Sequence, residues 1–261
     1  MFQMLRRWWF LDLLRSEERR SRPPGRRESK EAGEVVLREW QVLRDRLSAI
    51  AAERVAAAGD LFRAAELSPP PEETVTRRDY LWALEAYDAA GRLLDEALAR
   101  PDETDLPDLT AVVVLVDQAV ERLAAAHTAH AGGRRRPPVV RCFYNPLHGP
   151  AVPPAQGGKG GKGGKASRKA RHRPTVGARE AAADRRPACA SCRNAILAGQ
   201  SPDVLPALLP APARRRGTGP VLVPYYTIPQ QWSPWSATGC GAYDEGTPAL
   251  VLRGGHRRPR T

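Results

Sequence analysis

The sequence predicts a mainly α-helical protein. An antiparallel three-helix bundle with a long first helix precedes a small irregular or β module, which a zinc ion (Zn2+) would stabilise and a disordered basic insertion interrupts. Three observations carry this. Apolar residues recur at alternating spacings of four and three through residues 31–131. Proline-rich breaks cut that region into three segments, and Gly132-Gly133 closes it. Beyond residue 133 the helical pattern gives way to Pro, Gly and a few Cys and His.

The first helix has the seam Val36, Trp40, Leu43, Leu47, Ile50, Arg54, Ala57, Leu61, broken only by Arg54. The stretch SPPPEE (68–73) ends it, because proline cannot continue the backbone ladder. The second helix starts near Thr76, with Asp79 placed three residues on as in a capping box. Its predicted seam is Tyr80, Leu84, Tyr87, Gly91, Leu94, Leu98. After RPDETDLPD (100–108), the third helix carries Leu109, Val113, Val116, Val120, Leu123, with Val112 and Ala119 on the same face. Short connections make neighbouring helices antiparallel. The first helix is longer than the others, so part of its stripe overhangs and offers a docking surface or a homodimer seam.

The net charge of +12 is unevenly spread: residues 1–30 carry +5, 31–131 carry −10 and 132–261 carry +17. No Asp or Glu occurs between Glu121 and Glu180. Such a stretch attracts nucleic acid, an anionic surface, or the acidic helices of the same chain. The candidate anion-contact residues are Arg134, Arg135, Arg136, Lys159, Lys162, Lys165, Arg168, Lys169 and Arg171. Arginine outnumbers lysine 36 to 5, which fits a GC-rich coding sequence as well as selection for phosphate. The Gly-Gly-Lys repeats within 157–165 are flexible coil and not a phosphate-binding P-loop, which needs Gly-x-x-x-x-Gly-Lys-Ser/Thr between a strand and a helix.

The chain therefore divides into a basic start (1–30), disordered or interfacial; an acidic helical region (31–131); and a Cys/His module (132–200) interrupted by a flexible insertion (153–186). A Pro- and aromatic-rich tail (201–261) packs on the module. The longest apolar run, LTAVVVLV (109–116), is too short to span a bilayer. Arg6–Leu14 offers Trp and Arg suited to a headgroup layer, although Asp12 interrupts its apolar side. The expected location is cytoplasmic, or peripheral at a membrane.

Four side chains suggest a metal site. Cys142 and His148 lie six apart in CFYNPLHG, and Cys189-x2-Cys192 runs into a short helix. Zinc favours tetrahedral Cys/His sets, and Cys-x2-Cys is its usual tight ligand turn. The gap between the pairs is long, but a flexible loop raises the closure cost only slowly. Cys240 leaves alternatives open: two disulfides, or Cys240 in place of His148. A Cys142/His148 nucleophile pair lacks a third group, and the helices lack the Glu-x-x-His pairs of a di-iron bundle.

The succession of helices, CFYNPLHG, PACASC and PYYTIPQQWSPW resembles a group of proteins from high-GC bacteria. That group carries a Cys-Phe-x-Asn/Asp-Pro-x-His-Gly turn and a Val-Pro-x-Cys turn after helices. The resemblance covers mainly residues 80–150, 187–200 and 220–243. It implies no activity, and members of the group differ in the second cysteine of the Cys-x2-Cys pair. The expected function is a non-enzymatic interaction or accessory protein with an unidentified protein partner and no small-molecule substrate. A nucleic-acid-associated protein is the first alternative, and a peripheral membrane protein the second.

Overall fold

The computed structural model describes residues 26–152, 186–209 and 221–257. Those residues are mostly helical, with one small two-stranded sheet. Helix α1 spans Arg26–Ala64, α2 Thr74–Ala99 and α3 Leu106–His130. A short α4 (Ala190–Leu197) precedes strands β1 (Pro206–Leu209) and β2 (Val221–Pro224). The strands pair antiparallel, Pro206 opposite Pro224 and Leu209 opposite Val221. Two short helices follow, α5 (Trp235–Thr238) and α6 (Thr247–Leu252).

Cross-helix contacts fix the directions. Trp40 meets Asp105 and Arg54 meets Asp117, so α1 and α3 run the same way. Glu73 meets His130 and Asp79 meets Arg122, so α2 runs opposite to α3. The start of α3 is set by its own sequence. Asp105 and Asp108 form a reciprocal capping box, with a proline in the first turn. Arg54, the polar interruption of the α1 seam, is neutralised by Asp117.

Helix α3 keeps its predicted face buried, Val120 only partly, but Ala111, Val114 and Leu115 on other sides are buried too. A helix apolar all round must be covered all round. The cover comes from the C-terminal segments. Leu205, Ala207, Leu222, Tyr225, Ile228, Trp235, Cys240 and Val251 share one core with the three long helices. Tail residues thus pack on the helices as well as on the Cys/His region.

The seam of α2 differs from the predicted one. The buried positions include Asp79, Ala83, Ala86, Ala90, Leu93 and Ala97, each one residue before its predicted counterpart, together with Thr76 and Ala89, and Leu94 is the one predicted position fully buried. The helix is rotated by about 100°. The alanine face lets α2 approach α3 closely, and that gain outweighs burying the larger residues, so Leu84 and Leu98 face outward at 36% and 57% exposure. Asp79 is not a cap. It lies 1% exposed under Arg122 and Arg135. Among the described residues, no helix is long and apolar enough to cross a membrane. The N-terminal segment 6–14 lies outside them.

Candidate metal centre

The centre is built from three separated pieces of chain. The first is the loop 141–150, closed by an antiparallel bridge between Arg141 and Pro150 and by the Cys142 N–H bonded to the Gly149 carbonyl at 3.1 Å. Inside it, Asn145 caps a single 3-10 turn, Pro146–His148, by accepting the Leu147 N–H at 3.1 Å. Gly149 sits at φ +83°, a left-handed conformation that favours glycine, and so closes the loop with Cys142 and His148 together.

The second piece is residues 187–192. A bridge between Val152 and Ala188, and the Phe143 N–H bonded to the Pro187 carbonyl at 2.7 Å, hold it against the loop. Cys189 is the N-cap of α4, and its sulfur accepts the Cys192 N–H at 3.4 Å. That bond folds the Cys-x2-Cys turn so that both sulfurs face one point. The third piece contributes Asp203, whose Oδ2 lies 3.0 Å from His148 Nε2.

The result is a cluster of Cys142, His148, Cys189 and Cys192, whose ligand atoms all lie within 4.8 Å of one another. His148 Nδ1 is 3.3 Å from the Cys192 sulfur and 3.6 Å from that of Cys189. In a tetrahedron with metal–sulfur and metal–nitrogen bonds of the usual length, sulfur and nitrogen stand about 3.6 Å apart. The donors therefore fit an ion of that coordination, and these four residues could hold a metal ion. Asp203 Oδ2 accepts a hydrogen bond from Nε2 and leaves Nδ1 to face the sulfurs, the arrangement that orients a ligating imidazole.

Burial and mutual hydrogen bonding set the charges of the cluster. Burial opposes a charge on His148, but hydrogen bonds from Asp203, Cys142 and Cys189 outweigh it and push the imidazole up to about 11. Hydrogen bonds from Cys142 and Cys192 pull Cys189 down to the thiolate, while Cys192, sharing the same pocket with Cys142 and Cys189, is pushed up. A divalent cation would satisfy all four groups together.

The loop is tied to the helices. Arg141, 5% exposed, reaches Asp117 Oδ2 at 3.3 Å and Glu121 Oε1 at 2.8 Å on α3. The Tyr243 hydroxyl donates to the Arg141 carbonyl at 2.6 Å, and the Tyr225 hydroxyl to that of Phe143 at 2.7 Å. Phe143, Tyr144, Tyr225 and Tyr226 form an aromatic cluster beside the sulfurs, with the Arg186 guanidinium 4.3 Å from the centre of the Phe143 ring. The tail aromatics thus supply packing, except Trp232, which is 47% exposed.

Cys240 is not part of the cluster. It is fully buried in the main core, and none of the four cysteines is in a disulfide, so both alternatives that recruited it are set aside. Of the candidate anion contacts, Arg134 and Arg136 are exposed, whereas Arg135 is committed to Asp79, with Nε–Oδ2 at 2.5 Å. Lys159, Lys162, Lys165, Arg168, Lys169 and Arg171 lie outside the described residues. Sequence reasoning missed Asp203 and Arg141: a lone Asp in QSPDV and an Arg beside a Cys carry no spacing signal. Comparison with protein-family models, curated proteins and solved structures finds no match for this chain.

Proposed function

We propose that the chain is a non-enzymatic interaction protein. In this reading a structural zinc ion fastens the Cys/His segments to an antiparallel three-helix bundle and so presents a basic surface to an acidic partner. The Cys142–His148–Cys189–Cys192 cluster carries it. Four protein donors complete a tetrahedron and leave no position for substrate, the mark of a structural rather than a catalytic zinc. Three thiol donors and one imidazole favour zinc over oxygen-seeking calcium or magnesium. Bound there, the ion would supply folding free energy and no reaction chemistry.

The charge distribution supports the second half of the reading. Residues 132–261 carry +17, and the exposed Arg134 and Arg136 lie at the root of that segment. A nucleic-acid ligand is the specific alternative for the same charge. The test uses the full chain. Elemental analysis is expected to give one zinc per chain, lost in Cys189→Ser together with native near-UV circular dichroism. A chain that is folded and metal-free after purification with zinc supplied would overturn the proposal. Salt-dependent retention on a polyanion, weakened in Arg134→Ala/Arg136→Ala, would support the basic-surface part; retention insensitive to salt would refute it.

A further inference from the structure

The rotation of α2 leaves a heptad face pointing outward. Along it run Arg77, Leu81, Leu84, Asp88, Gly91 and Asp95, spaced alternately by four and three. This is the geometry of a helix-pairing seam, yet among the described residues no helix lies over its N-terminal half, while α6 packs beside its C-terminal half. Leu81 and Leu84 are 48% and 36% exposed, and Arg77, Asp88 and Asp95 are exposed with no ion pair among the described residues.

The two halves of the face are complementary. The N-terminal half offers a cation and two leucine knobs. The C-terminal half offers two carboxylates and a hole: a Cβ built on Gly91 would meet nothing within 4 Å. Around that glycine lies a groove of ≈ 320 Å³, bounded by Leu252 of α6. Turned end for end, its own copy sets cation against anion and knob against hole at the outer positions, with Leu84 against the other copy's Asp88 at the centre.

We propose that α2 is a homodimer interface in which two copies of this helix pair antiparallel about a two-fold axis. Leu81 of one chain sits over Gly91 of the other, and Arg77 faces the partner's Asp95. These two contacts share one register, because 77 and 95 have the same midpoint as 81 and 91. Each is made twice by symmetry, as an isologous interface requires. From Arg77 to Asp95 the contact runs for about 27 Å of helix. The seam of α1, by contrast, is spent inside the chain from Val36 to Ile50, where it packs on the common core.

The test is the mass of the full chain by light scattering after size-exclusion chromatography, across a dilution series, with sedimentation equilibrium for the dissociation constant. The expected mass is twice the 28.6 kDa of one chain. Arg77→Asp and Asp95→Arg each put a like-charge contact at both symmetric places and are expected to weaken the dimer at least tenfold. The double variant reverses both charges and is expected to restore it to within about threefold. Both substituted positions lie at the surface, and circular dichroism confirms that each variant is folded. A single-chain mass at every concentration overturns the proposal. So does a dimer that either single substitution leaves unchanged, or one that the double variant fails to restore.

Discussion

Asp105 is the polar hinge of the helical core, and replacing it should change how stability depends on pH. The residue is 3% exposed, and its carboxylate accepts hydrogen bonds from Trp40 Nε1 at 3.0 Å, the Leu106 N–H at 2.8 Å, the Leu208 N–H at 2.9 Å and, in the capping box, the Asp108 N–H. It thereby ties α1, α3 and β1 together. Burial, with the neighbouring charge of Asp108, overcomes those bonds and raises its pKa from 3.8 to about 6. Below about pH 4 both the folded and unfolded chains hold the proton, and the group contributes nothing to pH dependence. Between the two values the unfolded chain releases its proton first, so stability falls as pH rises. Above about 6 the full cost is present. A shift of this size corresponds to about 3 kcal/mol. In Asp105→Asn the side chain cannot ionise. It keeps an acceptor for Trp40 and Leu106 but turns an NH2 toward the Leu208 N–H, which costs about 1–3 kcal/mol at every pH. Urea unfolding of both proteins from pH 4 to 7 measures the difference, in which other titrating groups cancel. The wild type is expected to lose about 2.4 kcal/mol more over that range than the variant. Parallel curves, or a wild type that gains stability relative to the variant, would refute the reasoning.

Two further predictions follow from the buried charges and the metal shell. Asp79→Ala leaves Arg122 and Arg135 facing each other without their shared carboxylate, and losing a buried partner of this kind costs about 3–5 kcal/mol; a change below about 1 kcal/mol in chemical denaturation would show that solvent carries those charges. Asp203→Asn replaces the acceptor that fixes the His148 tautomer and is expected to weaken zinc binding about 10–100-fold in a competition titration with a chelator, without loss of the bound stoichiometry. Unchanged affinity would remove Asp203 from the site.

The Cys/His cluster that could hold a metal ion was legible in the sequence because such chemistry leaves a spacing signature. Cys189-x2-Cys192 is a turn that points two sulfurs one way, and the Asn-Pro and His-Gly steps announce the reversal that returns His148 to Cys142. The α1 seam was legible from Val36 to Ile50 because its large residues sit on the side that packs, whereas beyond Arg54 the predicted Ala57 and Leu61 are exposed and Ala58 is buried instead. The face of α2 was misread for a physical reason. Periodicity weights large apolar residues, whereas the buried face is mostly alanine, chosen for close approach to α3. The cover of α3 by Tyr225, Trp235 and Val251 was also hidden, because these residues stand in short, proline-punctuated stretches without a period. Asp203 and Arg141 act through distance in space, which a linear pattern does not encode.

The central claim is that four protein side chains close a structural zinc site. X-ray absorption fine structure of the zinc-loaded full chain tests it most directly. The predicted first shell is three sulfurs at about 2.3 Å and one imidazole nitrogen at about 2.0–2.1 Å, with no further ligand. A shell of fewer sulfurs completed by light-atom scatterers from solvent would contradict it, and would mean an open coordination position and a centre built for chemistry.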